Sequence, residues 1–295
     1  MVGSKSNRFL SKGIINLIFI AVSLCCVIPL LYIVSASFTS EASLSINGYS
    51  LIPKDFSTMA YEYIFRTPKQ LINSYGVTIF VTVSGTVFSL LFTSMLGYVI
   101  ARKDFKFHSL LSFLVLFILL FNGGMVPTYI LINNYYHLSN SILAMILPYI
   151  IMPWHVFLMK NFFADSPVSL IEAAKIDGAG EIRIFFQIIA PISKPGFAAV
   201  GLLIAFTYWN DWWLSLMYIT DANLYSLQYY LYSVMNNITF LTQALQVGIS
   251  VDSSNLPSES ARMALCVLAA GPMLVIFPFF QKYFVKGLAV GAVKG

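Results

Sequence analysis

The sequence predicts an all-α polytopic membrane protein with six transmembrane helices, and three observations carry that prediction. First, 58% of the 295 residues are apolar and only 10% are charged, against roughly 45–50% and about 25% in soluble proteins. Second, a mean hydropathy of +0.80 over the whole chain is more than one core helix or one signal peptide supplies. Third, the apolar residues fall into six runs, near 14–37, 73–101, 109–131, 139–160, 196–219 and 263–284, each close to the about 20 residues that cross a bilayer as a helix. No internal repeat, low-complexity tract or linker divides the chain. The expected organisation is an N-terminal segment over 1–13, one membrane domain over 14–284 and a C-terminal tail over 285–295.

The first run follows Lys5, Arg8 and Lys12, as a secretory signal would. From Ile14 to Ala36, however, it far exceeds an h-region of about 7–15 residues, so it reads as a retained helix. Leu24 stands directly before Cys25, where a lipoprotein signal needs a small residue. Orientation follows from lysine and arginine, which are costly to translocate and concentrate in cytoplasmic segments. With the N-terminus inside, the inner segments hold Lys5, Arg8, Lys12, Arg102, Lys103, Lys106, Lys160, Lys175, Arg183, Lys194, Lys282, Lys286 and Lys294, which is 13 of the 17. Lys54, Arg66, Lys69 and Arg262 stay outside. Both termini are therefore expected in the cytoplasm. Three connections are long: 38–72 and 220–262 outside, the second with a Tyr-rich run, and 161–195 inside. Gly271, Pro272 and Pro278 in the sixth run predict a weakened hydrogen-bond ladder and a kink.

Several function classes drop out. The net charge of +5 follows from the topology, and no interleaving of basic and aromatic residues points to nucleic acid. Cys25, Cys26 and Cys266 lie in apolar runs without a CxxC pair, so neither a disulfide framework nor a zinc site is expected, and they should pack as small hydrophobes. His108, His137 and His155 are scattered and form no metal constellation. Glu172 and Asp177 would stand about 140° apart on a helix, which argues against paired acid and base chemistry. No catalytic residue is expected. No G-x-x-x-x-G-K-[ST] occurs, so the chain does not cradle a nucleotide itself, and any ATP energy must arrive through a partner.

The inner loop is the most polar stretch inside. Ser166 before Pro167 is an N-cap and first-turn signal, Ser169 and Glu172 have capping-box spacing, and Gly178 or Gly180 stops a helix. A second amphipathic helix is expected over about 181–190, ended by Pro191 and Pro195. Two helices at the membrane surface, with Ala173 and Ala174 as a low-profile patch, make either a socket for a cytosolic partner or an interfacial hairpin packed on its own bundle. Within the spans, polar and aromatic residues mark a candidate solute path, because polar groups avoid lipid. Trp209 lies about 21 Å along a helix from Pro195. Aromatic faces there can cover the C–H surface of a sugar while Asn210 and Asp211 satisfy hydroxyls. Trp212, Asn122, Tyr129 and Tyr149 complete the candidates. The bland alternative makes Trp212, Trp213 and Tyr218 an aromatic belt and Asp211 a local cap.

The loop reads Glu172-Ala173-Ala174, three residues, Gly178, nine residues, then Ile188-Ile189-Ala190-Pro191. This resembles the E-A-A-x3-G-x9-I-x-L-P loop of ABC importer permeases, with Ala190 at the usual leucine. Asp177-Gly178-Ala179, Phe185-Phe186, Trp209-Asn210-Asp211-Trp212 and the ending from Gln281 to Gly295 are similar to the MalG-type carbohydrate family. Phe121-Asn122-Gly123-Gly124-Met125-Val126-Pro127-Thr128-Tyr129 resembles its LplC/YtcP-like branch. The resemblance implies a type I ABC importer permease fold in the bacterial cytoplasmic membrane, with 161–195 as the coupling loop. Docking on the ATPase would fall to Glu172, Ala173, Ala174, Asp177 and Gly178. Implied partners are a homologous second permease, two cytosolic ATPase subunits holding ATP and Mg2+, an extracellular sugar-binding (lipo)protein and an oligosaccharide. The rival class is an ion-coupled secondary transporter or channel, whose signs would be charges at mid-membrane or inverted repeats. Only Asp211 lies well inside a run.

Overall fold

The computed structural model describes residues 3–66, 68–246 and 258–292. In chain order the helices are α1 (Gly3–Ser37), α2 (Glu41–Asn47), α3 (Met59–Ile64), α4 (Pro68–Ala101), α5 (His108–Leu120), α6 (Met125–Ile130), α7 (Ile142–Ile146), α8 (Pro153–Ala164), α9 (Val168–Ile176), α10 (Glu181–Ile184), α11 (Ala190–Ile192), α12 (Lys194–Trp209), α13 (Trp213–Tyr218), α14 (Leu227–Gln246) and α15 (Ser258–Ala292). Wide π-turns continue α6 over Leu131–Tyr135 and join α10 to α11 over Phe185–Ile189. Among the described residues no strand forms, and one isolated bridge pairs Thr39 with Phe56.

Among the described residues three helices are long and apolar enough to cross a membrane, and up to six crossings result if each bent pair is taken as one. The expected third, fourth and fifth spans are therefore interrupted rather than continuous. The chain turns by 110° between His108–Leu120 and Met125–Tyr135, and by 52° between Ile142–Tyr149 and Pro153–Ala164. Asn122 Oδ1 accepts the Gly124 N–H at 2.9 Å, an Asx-type turn that replaces the helical ladder, and Gly124 takes φ +90°. At the second break, Pro153 holds Met152 extended and starts a new helix. The fifth run stops at Trp209 and resumes at Trp213. Short polar side chains at 210 and 211 bond the backbone there in place of the next helical turn.

By contacts the chain forms two compact units, Met1–Pro68 with Ser233–Pro272 and Lys69–Tyr232 with Met273–Gly295. In the first, residues 12–31 of α1 are all exposed, so Cys25 and Cys26 do not pack within the chain, and Cys266 is exposed too. The Glu41 carboxylate accepts the Glu259 and Ser260 N–H groups at 3.0 and 3.2 Å. It thereby caps the start of α15, where free N–H groups and the helix dipole favour an anion. Much of the expected outer loop 220–262 is helical as α14, because 227–246 contains no Gly or Pro and its apolar residues recur with helical spacing. Residues 247–257, which include most of the polar 252–260 stretch, lie outside the described residues. α15 runs unbroken past Pro272 and Pro278 to Ala292, so most of the expected tail over 285–295 is helical.

The second unit is built around α4. Ser74, Thr78, Thr82, Gly85, Ser89, Thr93 and Gly97 recur every three or four residues on one buried face. Small residues let helices approach closely where lipid supplies no hydrophobic drive. At Gly97 a Cβ would stand 3.0 Å from Met159 Cβ and 3.2 Å from the Val156 carbonyl of α8. Thr78 Oγ1 accepts the Leu227 N–H at 2.7 Å, which satisfies an orphan donor at the start of α14. Around this stripe Tyr98, Met159, Phe163, Ile184, Phe185, Ile204 and Tyr208 form one continuous core.

Candidate functional site

The break between α12 and α13 gathers part of the candidate path. Asp211 Oδ2 accepts the Leu214 N–H at 3.0 Å, capping α13, and Oδ1 accepts the Tyr149 hydroxyl at 3.0 Å. Asn210 Nδ2 donates to the Phe206 carbonyl at 2.9 Å, closing the end of α12. Tyr208, two residues earlier, is buried and donates to the Ile146 carbonyl at 2.9 Å. Its oxygen lies 2.9 Å from the Ser89 hydroxyl, which stands 3.0 Å from the Tyr149 carbonyl. A polar seam thus joins α4, the turn after α7 and the α12–α13 break.

The other candidates go elsewhere. Trp209 is buried and lines a groove of about 380 Å³ with Thr82, Thr86, Leu90, Gly201 and Met273. Trp212 packs on Tyr232 with ring centroids 4.7 Å apart and edge-on to Trp213. Tyr129 stacks on Tyr218 at 6.0 Å. Asn122 is occupied by its own turn. Of the seven, Tyr149 and Asp211 share a hydrogen bond. Sequence reasoning missed Ser89, whose signal was the run of serine and threonine through α4 at helical spacing.

In the loop after α8, α9 ends as expected at a glycine. Gly178 has φ +77°, a conformation open to glycine and costly for most side chains. The Ala179 N–H bonds the Ala174 carbonyl at 2.9 Å and the Gly178 N–H bonds the Lys175 carbonyl at 3.0 Å. That is a Schellman closure, with Ala174 and Ala179 in apolar contact with the same core. The start of α9 differs from expectation. The residue before its first turn is Pro167, no side chain caps it, and Ser169 lies inside the helix, so no capping box forms. Ala174 also departs from the expected outer patch. It is 7% exposed, because Ile171 and Ala174 stand one turn apart on the face that meets the core.

Glu172, Ala173, Asp177 and Gly178 remain exposed, together with Val168 and an 86% exposed Ile176. Sequence reasoning did not single out that apolar tip. The second surface helix is longer than expected and passes through Pro191. The Ala190 N–H reaches back five residues to the Phe185 carbonyl, and this wide turn absorbs the register shift that a residue without an N–H imposes. The helix over Glu181–Ile192 meets Lys194–Trp209 at 87°.

Four charges surround the α9–α10 turn. Arg102, in the turn after α4, pairs with Asp104 and Glu181, and Lys175 pairs with the same two carboxylates. Hydrogen bonds from Arg102 hold the Asp104 carboxyl well below its usual range, helped by Lys175 and opposed by burial. Burial pushes Glu181 up, but bonds from Lys175, Arg102 and Tyr98 outweigh it and leave this carboxyl low. Both are therefore ionised near neutral pH. Among the described residues no group of His, Cys, Asp and Glu is arranged to hold a metal ion.

The comparisons with known proteins agree in kind. Residues 74–290 match the family described as binding-protein-dependent transport system inner membrane component. Protein LplC of Bacillus subtilis (strain 168) is 39% identical, the match covering 95% of this chain and 94% of that protein. The polygalacturonan/rhamnogalacturonan transport system permease protein YtcP of the same strain is 38% identical, over 92% of this chain and 94% of its own. Among solved structures, a chain of a bacterial ABC transporter involved in the import of the acidic polysaccharide alginate superposes with a TM-score of 0.78 at 28% identity, covering 95% of this chain and 98% of that one. With the family matched over most of its length, the all-helical fold and the bent crossings in place, this chain belongs to the binding-protein-dependent transport system inner membrane components, as a multi-pass ABC importer permease rather than an enzyme.

Proposed function

We propose that this chain is one half of the translocation pathway of an ATP-binding-cassette importer for an oligosaccharide. A homologous permease forms the other half. Two cytosolic ATPases, which hold the ATP and Mg2+, dock on α9, and an extracellular sugar-binding (lipo)protein delivers its load at the outer segments within 38–72 and 220–262. Both termini lie in the cytoplasm, with the membrane domain over 14–284. Closure of the ATPases would draw α9 inward, rotate the bundle about its interface with the second permease and open the outer side. Hydrolysis would reset it. The relatives' named cargoes and the aromatic residues at the α12–α13 break support a sugar. Asp211, itself acidic, offers no counter-charge to a sugar carboxylate, so the contacts proposed here fall on neutral ring faces and hydroxyls, with Tyr149, Asn210, Asp211 and Trp212 nearest the path.

The observation that carries the docking reading is the exposed tip of α9, where Ile176 stands beside Glu172, Ala173, Asp177 and Gly178. Burying an isoleucine contributes about 1.5–3 kcal/mol, and a carboxylate in its place would be desolvated without a partner. In a preparation co-expressed with the second permease and the ATPase, Ile176→Asp is therefore expected to weaken ATPase binding about 10- to 100-fold. The permease pair should stay intact. Full ATPase retention in that variant, titrated beside the parent, would sink the docking reading.

A further inference from the structure

The four charges on the inner side form a closed ring in which each cation meets both anions. Arg102 lies 2.5 Å from Asp104 and 2.8 Å from Glu181, and Lys175 lies 2.9 and 3.2 Å from the same carboxylates. Opposite charges cancel within the ring. The pairs join the turn after α4 to two neighbouring places much later in the chain, the last turn of α9 and the first residue of α10. Glu181 at a helix start and Lys175 at a helix end would suit the helix dipoles without any third party. Arg102 is different, because its side chain is 10% exposed.

Nε donates to Asp104 Oδ1 at 2.7 Å, and Nη2 donates to Asp104 Oδ2 at 2.5 Å and Glu181 Oε1 at 3.3 Å. Nη1 donates to Glu181 Oε2 at 2.8 Å and to the Tyr98 hydroxyl, which itself donates to Glu181 Oε2 at 3.1 Å. A guanidinium carries five N–H donors in a rigid fork, and a lysine ammonium has three on a flexible stem. All five are used here. Ile171 and Ala174 also hold α9 to the core, but apolar packing is non-directional and tolerates sliding. The fork fixes rotation and register.

We infer that Arg102 is a positioning residue that locks the α9–α10 turn to the inner end of α4, so that a push on α9 moves α4 with it instead of being absorbed in the turn at 177–180. The inference rests on the docking reading. The turn is the compliant element between the two surface helices, since it contains Gly178 and Gly180 and makes its closure through backbone bonds alone. Arg102 spans it from outside.

The test uses the full complex in liposomes, with Cys25, Cys26 and Cys266 replaced by serine and spin labels on Lys106→Cys and Arg183→Cys, both exposed positions flanking the ring. The distance between labels is measured without nucleotide and after trapping with ATP and vanadate. The parent is expected to give one narrow distance that trapping leaves unchanged. Arg102→Lys and Arg102→Gln should give that same distance without nucleotide and keep the ATPase bound, and should shift or split it on trapping. Lys175→Met, which spares the fork, should behave as the parent.

A parent distance that itself shifts, or Arg102 variants that match the parent after trapping, would overturn the inference. So would variants already altered or stripped of ATPase before nucleotide is added, which would make Arg102 merely structural. Ile176→Asp in the same preparation separates the two ideas. If it retains ATPase, the docking reading fails and this inference goes with it, whereas loss of ATPase alongside an unaltered Arg102 series removes the inference alone.

Discussion

Asp211→Ala is expected to cost the purified complex about 2–4 kcal/mol and to abolish most transport, while Asp211→Asn stays close to the parent in stability. Alanine removes two acceptors together. The Leu214 N–H loses its cap, typically worth about 0.5–2 kcal/mol. The Tyr149 hydroxyl loses its partner within the bundle, and an unsatisfied buried donor costs about 1–3 kcal/mol. Asparagine keeps a carbonyl oxygen for the Leu214 N–H, and its amide N–H can donate to the Tyr149 oxygen in place of the lost bond. Thermal unfolding in detergent, followed by tryptophan fluorescence, measures the first effect, and uptake in liposomes measures the second. A stable Asp211→Asn that still transports would make Asp211 a structural cap. A stable Asp211→Asn without transport would assign the charge to the path. Equal stability of the alanine and asparagine variants would contradict the capping geometry.

Gly85→Ala should be nearly as damaging, although it adds one methyl group. A Cβ at this position would stand 2.6 Å from Cζ of Tyr208 and 2.8 Å from both neighbouring ring carbons. The ring has no easy retreat, since its hydroxyl is bonded to the Ile146 carbonyl and faces Ser89, and it packs on Tyr149 with centroids 6.0 Å apart. Overpacking a tight interior costs about 1–3 kcal/mol, and a displaced Tyr208 would surrender about 1 kcal/mol more per hydrogen bond. Tyr208→Leu removes the clashing carbons. The double variant is therefore expected to lose clearly less than the two single losses combined, because neighbours in contact are not additive. Additive losses in the unfolding midpoints would show that the ring moves freely.

Much of the architecture was legible because a bilayer imposes a length and a composition that one sequence displays. The first two spans and the end of α9 at Gly178 follow from such local rules. The breaks at 121–124, 150–152 and 210–212 were hidden because Phe121, Ile150 and Trp212 are as apolar as the helices they interrupt, so a hydropathy window averages across them. The Asn122 turn and the Met152–Pro153 pair were the local signs available. The inward turn of Ala174 depended on which face of α9 meets the core, and a nine-residue helix with few apolar positions does not declare that face. The Arg102–Glu181 and Tyr149–Asp211 pairs join residues 79 and 62 positions apart. No spacing rule reaches so far. Of the candidate path, sequence reasoning put its aromatic residues at one site, where the structure divides them among several.

Residues 12–31 of α1, exposed along their whole length, have a thermodynamic consequence. Such a helix satisfies its backbone internally, so its formation draws no free energy from packing against its own chain. Its apolar side chains are left to be covered by lipid or by a second subunit, and the free energy of that covering belongs to assembly in the membrane rather than to the folding of this chain.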